Sequence, residues 1–247
     1  MNKKSTYKRL FFDIETSPNL VFSWNVGRKI SIDYDNIINE RAIICVCWKW
    51  EGEDKVYSLN WDKGNDKKLV EKFSQVINSA QEVIGHNSIG FDEKWLRTRC
   101  LFHGVSLSPK FNSIDTLKLS RKGFRFNSNR LDYIGKYLGL GKKEDTGGFS
   151  LWKAIVMNNS REALAKMIHY CKNDVILLEK IFQALNPYVE SKTSKGIALG
   201  GTKVDCPECG SKNIQYRGYS VTLGGSRKRR CQCQECGKYY QITEKAE

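Results

Sequence analysis

The sequence lacks any apolar run that approaches the roughly 20 residues of a membrane-spanning helix. Its first residues, Met-Asn-Lys-Lys-Ser, also lack the apolar core of a secretory signal peptide. No internal repeat is present. We therefore expect a cytoplasmic protein that has no contact with a membrane.

Acidic residues are few relative to basic ones. The 247 residues include 27 Asp and Glu against 41 Lys and Arg, which gives a formal net charge of +14. Such an excess predicts a polyanionic partner, most commonly nucleic acid, although a basic solubilising surface would have the same charge. The length allows one sizeable core with a small appendage, or two modest domains.

The nine cysteines are not distributed like a disulfide framework. Four occur in apolar or helical contexts and read as small buried residues: Cys45, Cys47, Cys100 and Cys171. The other five crowd into the last part of the chain in metal-ligand spacing: Cys206, Cys209, Cys231, Cys233 and Cys236. This usage is typical of a reducing compartment.

Two Cys-x-x-Cys-Gly knuckles begin at Cys206 and Cys233. Their four thiolates, with Cys209 and Cys236, suit a tetrahedral structural Zn²⁺, and the segment is similar to zinc ribbons. Cys231 is the alternative to Cys233, but it would leave a longer gap to Cys236, so the regular knuckle is favoured.

Basic residues lie between the two knuckles. We interpret this stretch, with Arg227 and Arg229, as a nucleic-acid contact. Protein docking and simple solubility are the alternatives.

Hydrophobic periodicity predicts a mixed α/β sheet with helices packed on it. Strands are expected at 7–16, 42–50, 56–61, 83–86 and around 114, and helices at 66–80, 92–102, 130–138, 151–157 and 159–185. The last helix is expected to start with Asn159 as its cap and Glu162 in a capping box. The predicted organisation is a domain at 1–190, a linker at 191–203 and a zinc ribbon at 204–247.

Acidic residues occur at three points of this framework. Asp13 and Glu15 alternate along the first strand and share one face, where a hard divalent cation, Mg²⁺ or Mn²⁺, would neutralise them. A solvated strand end is the alternative. Asp92 begins a helix after a small-residue turn, a position where Asp also serves as a simple helix cap.

Tyr170 and Asp174 are four residues apart, so they lie on one face of the long helix, at the edge of its buried stripe. A buried acid needs a partner, which a metal, a Lys or an Arg would provide. These pairs form three motifs in order: Asp13-x-Glu15, Asn87-x-x-x-Phe91-Asp92 and Tyr170-x-x-x-Asp174. Together they resemble the DEDD superfamily of exonucleases, which includes polymerase proofreading domains.

The resemblance spans about residues 5–188 and implies a ribonuclease H-like fold with two divalent ions in the active site. It implies that Asp13 bridges both ions, that Glu15 and Asp174 complete the shell of the first ion, and that Asp92 holds the second. Tyr170 would orient the attacking water, as in the DEDDy branch. His169 is the alternative, but five residues correspond to ~500° of helical rotation and turn it away from Asp174.

A basic and aromatic stretch occupies residues 110–153, with ten Lys or Arg against four acids. Positive charge for phosphates and rings for bases predict a single-strand binding surface, although most of these rings would also suit a core. We assign nucleic-acid contacts to Arg125, Arg130, Lys142 and Lys143, together with Asn87 and Phe91 of the second motif.

The sequence therefore predicts a metal-dependent 3′–5′ exonuclease that acts on nucleic acid, with DNA favoured, at single-stranded or frayed 3′ ends. The alternatives are a ribonuclease or structure-specific endonuclease of the same fold, or a non-catalytic protein that binds nucleic acid through its basic ribbon. A proofreading role would need a polymerase, or another replication or repair protein, in trans.

Overall fold

The computed structural model describes residues 7–27, 29–141 and 147–243. Its larger part is built on seven strands, numbered in chain order: β1 Arg9–Thr16, β2 Leu20–Val21, β3 Ile37–Asn39, β4 Ile43–Trp50, β5 Val56–Asn60, β6 Glu82–Gly85 and β7 Ser113–Asp115. Five of them form the central sheet in the order β5-β4-β1-β6-β7, while β2 and β3 pair separately.

The central sheet is mixed. β1 pairs antiparallel with β4 and parallel with β6, and β7 extends the parallel half. β4 and β5, both expected from the sequence, form an antiparallel hairpin. The mixed α/β fold expected from the sequence is confirmed.

Helices cover both faces of the sheet: α1 Lys67–Asn78, α2 Asp92–His103, α3 Thr116–Gly123, α4 Leu131–Tyr137, α5 Phe149–Asn158 and α6 Arg161–Leu185. A short seventh helix, α7 Lys195–Ala198, lies outside these two layers, against the first cysteine knuckle. One core cluster lies under α1 and α2, and a second lies under α4, α5 and α6. Across the described ranges, no helix combines the length and apolar character needed to cross a membrane.

Strand β1 separates the two cores by the alternation of its side chains. Leu10, Phe12 and Ile14 pack in the cluster with α1 and α2, while Phe11 packs in the cluster with α6. Since alternate residues of a strand share a face, Asp13 and Glu15 follow Phe11 toward α6. The sheet thus presents both acids to the long helix.

The predicted start of the long helix is wrong by one residue. The cap of α6 is Ser160, whose Oγ accepts a hydrogen bond from the Ala163 amide at 3.2 Å. Asn159 instead ends α5 in a left-handed conformation, with φ of 49°. The chain reverses sharply between the two helices, and Asn tolerates the left-handed conformation better than most residues.

Helix α3 was not predicted. It has only eight residues, and its two leucines give too short a pattern for periodicity to detect. Its start is fixed by Asp115, whose carboxylate accepts hydrogen bonds from the amides of Leu117 and Lys118. This contact gives Asp115 a structural role at the start of α3.

The last part of the chain forms a three-stranded antiparallel sheet in the order β10-β9-β8, with strands β8 Ile214–Val221, β9 Arg227–Cys233 and β10 Tyr239–Thr243. The preceding segment, 191–203, contains α7. There Gly196 lies so close to the Cys206 carbonyl and to Gly210 that a Cβ atom would not fit. The division into two domains and a linker stays a prediction.

We call this sheet, together with the two cysteine knuckles, the ribbon. A buried cation joins the ribbon to the central sheet. The Arg9 side chain is only 2% exposed and contacts Glu51 at 2.8 Å, Glu82 at 2.5 Å and Glu208 at 2.6 Å. Glu208 lies between the cysteines of the first knuckle. Because Arg9 begins β1, the ribbon is anchored at the end of the sheet opposite to Glu15.

A second buried cation strengthens the junction. Lys238 Nζ donates hydrogen bonds to the backbone carbonyl of Asn186 at 2.5 Å and to its side-chain oxygen at 2.9 Å. Asn186 directly follows α6. The long helix and the ribbon are therefore joined by hydrogen bonds of a buried lysine.

Candidate functional site

Three carboxylates from two elements converge beside the central sheet. Oxygen atoms of Asp13, Glu15 and Asp174 lie within 4.8 Å of one another. Asp13 and Glu15 come from β1, and Asp174 comes from α6 with a side chain that is 3% exposed. The alternation of β1 and the packing of α6 on it therefore bring two of the three motifs together.

The chemistry of this group fits a hard divalent metal. Carboxylate oxygens are the preferred ligands of Mg²⁺ and Mn²⁺, and like charges this close repel one another unless a cation lies between them. The three residues could thus hold a metal ion, as the sequence predicts.

Asp92 lies next to this group but is not one of its three members. Its Oδ1 accepts a hydrogen bond from the backbone amide of Ile14 at 2.9 Å. The pairing of β6 with β1 extends only to Phe11, so Asp92 provides a partner for an amide beyond it. Burial raises the pKa of Asp92 to about 7. Its role as a ligand of a second metal stays a prediction.

The second motif forms a tight turn at the same end of the sheet. Asn87 has a positive φ of 65°, its amide donates to Asp115 Oδ1 at 2.9 Å, and its carbonyl accepts from the Phe91 amide. Gly85 precedes the turn, where a Cβ would collide with Ser88. Asn87 is exposed, whereas Phe91 is half-buried against Trp95.

Tyr170 and His169 differ in burial. Tyr170 is 7% exposed on the side of α6 that carries Asp174, since four residues advance a helix by only slightly more than one turn. His169 is exposed, and its Nε2 lies 3.1 Å from the side-chain nitrogen of Asn173. Because α6 begins at Arg161, both residues lie well inside the helix.

The sequence analysis did not anticipate a contact of Cys171. Its sulfur lies 3.6 Å from Asp13 Oδ2, so the thiol donates directly to one of the grouped carboxylates. The spacing of three between Cys171 and Asp174 was an available signal, because it places both residues on the same side of a helix.

The basic and aromatic stretch is only partly exposed. Arg125 and Arg130 are exposed, while Phe124 and Phe126 are half-buried and pack against the core. Lys142 and Lys143 lie outside the described residues.

A second group of ligands is formed by the two knuckles. The Sγ atoms of Cys206, Cys209, Cys233 and Cys236 lie within 4.8 Å of one another. The hydrogen bond with Cys236 lowers the pKa of Cys206 to about 5, which favours the thiolate that binds metals. Cys231 lies outside this group and donates to the Arg229 carbonyl. Four thiolates in this arrangement could hold a metal.

The two predicted ribbon contacts have their guanidinium groups over aromatic rings. The Cζ atom of Arg227 lies 4.1 Å from the centre of the Tyr219 ring, and that of Arg229 lies 4.5 Å from the centre of the Tyr216 ring. Stacked guanidinium groups of this kind present a flat cationic surface. Their contact with nucleic acid stays a prediction.

Comparison with known proteins supports the same fold. The structure is similar to that of the family B DNA polymerase from the hyperthermophilic archaeon Pyrobaculum calidifontis, with a TM-score of 0.56 and 17% identity over 74% of this chain. The similar region makes up 25% of the polymerase, so the chain spans about a quarter of that protein's length. No curated protein matches the sequence.

A comparison with protein-family models assigns the chain to a family. The model of the RNase H superfamily matches residues 10–186, which include β1 and α6 with all three grouped carboxylates. Membership supports a nuclease that processes nucleic acid. The chain belongs to the RNase H superfamily.

Proposed function

We propose that this protein is a metal-dependent 3′–5′ exonuclease. The observation that carries the proposal is the convergence of Asp13, Glu15 and Asp174, with oxygens within 4.8 Å, in a chain of the RNase H superfamily. These residues belong to the first and third motifs of the DEDD pattern, and Asp92 of the second lies beside them. A phosphodiester hydrolase needs such a group, because charge develops on the attacking and leaving oxygens.

Each residue has a distinct task in this proposal. Asp13, Glu15 and Asp174 would hold one divalent ion, and Asp13 with Asp92 would hold a second. Bound Mg²⁺ or Mn²⁺ lowers the pKa of a water molecule and stabilises charge on the leaving 3′ oxygen. The Tyr170 hydroxyl would orient the attacking water by a hydrogen bond, since a phenol is a poor general base near neutral pH. Burial of Tyr170 favours it over the exposed His169.

The proposed substrate is a nucleic acid with a free 3′ end, with DNA favoured. The similarity to part of a DNA polymerase supports this preference. A ribonuclease acting on the same kind of end is the second candidate, because recognition of a 2′-hydroxyl depends on contacts that the carboxylate group does not determine.

The proposed metal of the knuckles is a structural Zn²⁺. Gly210 and Gly237 both have a φ of 75°, and their amides donate to the Cys206 and Cys233 carbonyls respectively. The two knuckles thus repeat one turn geometry around the four thiols, as tetrahedral coordination requires. Elemental analysis of the purified protein should find one zinc per chain, and Cys236→Ser should remove it.

The decisive experiment for catalysis is a time course on 5′-labelled single-stranded DNA and RNA with Mg²⁺ or Mn²⁺. We expect a ladder that shortens from the 3′ end in the wild type and is absent in Asp13→Asn. Asp62→Asn is the matched control, because Asp62 is exposed and belongs to neither metal-binding group. Internal cleavage of a circular strand would contradict the exonuclease and favour the endonuclease.

A further inference from the structure

A cleft of about 730 Å³ lies where the ribbon meets the segment after α6. Its lining comes from both sides of the junction, with Tyr188 and Lys192 on one side and Lys228, Arg230 and Tyr239 on the other. It lies far from the carboxylates: α6 rises about 1.5 Å per residue, so the stretch from Asp174 to Leu185 alone covers ~16 Å. The catalytic group therefore does not explain this cleft.

The lining combines positive charge with accessible rings. Four cations and two acids line it: Lys192, Lys203, Lys228, Arg230, Glu190 and Asp205. The Asp205 carboxylate accepts a hydrogen bond from the Thr202 amide at 2.7 Å, and Asp205 is only 6% exposed. The ring of Tyr188 is 79% exposed and that of Tyr239 is 51% exposed. Cations beside open rings match the phosphates and unstacked bases of a single strand.

The alternation of β9 determines which basic residues reach the cleft. Lys228 and Arg230 line it, whereas Arg227 and Arg229 lie on the other face and stack over Tyr219 and Tyr216. Tyr239 pairs with Gln232, two residues beyond Arg230, so its ring belongs to the cleft face. The cleft thus takes Lys228 and Arg230 of the basic stretch, on the face opposite to Arg227 and Arg229.

A row of aromatic rings leads from the cleft to α4. The Tyr188 ring contacts Phe124 at 6.3 Å, Phe124 stacks on Phe126 at 5.5 Å, and Phe126 contacts Tyr137 at 5.5 Å. Tyr137 ends α4, and just before that helix the Asn129 carbonyl meets His86, which follows β6 at the catalytic end. Exposed basic residues border the row: Lys118, Arg121, Lys122, Arg125 and Lys136.

We propose that this cleft is a second binding site for the single-stranded nucleic acid, which holds the strand on the 5′ side of the end being degraded. The proposal rests on the proposed exonuclease function and adds a substrate-length requirement to it. A strand that reaches from the carboxylates to the cleft must span at least ~16 Å, or about five stacked nucleotides at 3.4 Å each. Shorter substrates would use the catalytic site alone.

The test compares Lys228→Ala/Arg230→Ala with the wild type in the full-length, zinc-loaded protein. Affinity for a 5′-labelled oligonucleotide of about 20 nucleotides is measured by anisotropy without added Mg²⁺, and cleavage of one of about 4 nucleotides is measured with Mg²⁺. We expect the long strand to bind about tenfold more weakly, and the salt slope to fall by about 1.4, which corresponds to two lost phosphates. The short strand should be cleaved at the wild-type rate.

The matched control is Lys68→Ala/Lys72→Ala, which removes the same charge from exposed positions on α1. It should bind the long strand like the wild type, and an equal loss in the control would overturn the proposal. Unchanged binding of the long strand by the cleft variant would also overturn it. So would a loss of short-strand cleavage as large as the loss of long-strand binding. Tyr239→Ala, compared with Tyr239→Phe, tests the same site through an exposed ring, and only the alanine variant should weaken binding.

Failure of the second binding site and failure of the proposed exonuclease would give different results. If the wild type cleaves both strands and the cleft variants change nothing, the second site is wrong and the exonuclease stands. If the wild type binds the long strand through Lys228 and Arg230 but cleaves neither strand, the exonuclease is wrong and the binding site stands.

Discussion

The thiol of Cys171 donates to Asp13: its sulfur lies 3.6 Å from Oδ2 and 3.6 Å from the backbone carbonyl oxygen of the same residue. Cys171 is fully buried, and burial raises the pKa of its thiol, so the group stays a protonated donor. A buried donor in this position limits the orientations open to the Asp13 carboxylate.

Replacing Cys171 with alanine should lower the cleavage rate about fivefold, because a hydrogen bond from a weak thiol donor to the Asp13 carboxylate contributes about 1 kcal/mol. Cys171→Ser keeps a donor and should recover part of the loss. Single-turnover rates measure the effect. Cys100→Ala, which truncates a buried thiol on α2 away from the carboxylates, should leave the rate unchanged. Equal rates for the alanine and serine variants would show that only packing matters.

Tyr170→Phe should reduce the cleavage rate about tenfold, since one hydrogen bond to the attacking water is lost while the ring is kept. His169→Ala should stay close to the wild type because His169 is exposed. The measurement is kcat on single-stranded DNA, with thermal unfolding as the check on folding. The reverse ranking would assign the catalytic role to His169.

Protonation of Asp66 should lower the free energy of unfolding in acid. Burial acts to raise the pKa of Asp66, but hydrogen bonds from Arg99, the Ile43 amide and His103 outweigh it and hold the pKa below 3.8. A lowered pKa stabilises the folded state above about pH 4, and this contribution is lost as the pH falls through the folded-state value.

Asp66→Asn should therefore cost about 3 kcal/mol near neutral pH, because it removes one partner of a buried ion pair. The difference from the wild type should shrink below about pH 4. Urea unfolding across pH measures it, with the exposed Asp62→Asn as control. A difference that stays constant with pH would refute the assignment to the Asp66 carboxylate.

Arg9→Met should loosen the ribbon. It leaves Glu51, Glu82 and Glu208 without their shared cation, at a cost of about 3 kcal/mol or more. We expect a lower melting temperature and faster proteolysis within 191–203. Lys8→Met changes the exposed neighbour and should do neither. An intact junction in Arg9→Met would mean that Lys238 and Asn186 suffice to hold the ribbon.

Local patterns predicted those parts of the molecule that depend on spacing along the chain. The alternation of β1 placed Asp13 and Glu15 on one face, and the helical spacing placed Tyr170 with Asp174. The knuckles likewise predicted the group of four thiols, including Cys233 rather than Cys231. Each of these relationships is fixed by the geometry of a single strand, helix or turn.

Contacts between distant segments escaped prediction. Nothing local indicates that Arg9 meets Glu208, that Asp92 receives the Ile14 amide, or that Tyr188 and Tyr239 line one cleft. Such pairs are set by the docking of complete elements, where many Lys, Arg and Glu residues are equally plausible partners in the sequence. The cap at Ser160 shows the same limit on a small scale, because the turn before it decided which residue starts the helix.

Successive side chains of strand β1 point alternately to the core under α1 and α2 and to the side covered by α6. Deleting one residue between Phe11 and Asp13 would carry both acids into the core under α1 and α2, and would turn Ile14 toward Asp174. A point substitution in this strand changes the contacts of one side chain, whereas a change of its length reverses the facing of every side chain after it. The number of residues in β1 is therefore constrained independently of their identities, because it decides which environment every later side chain of the strand meets.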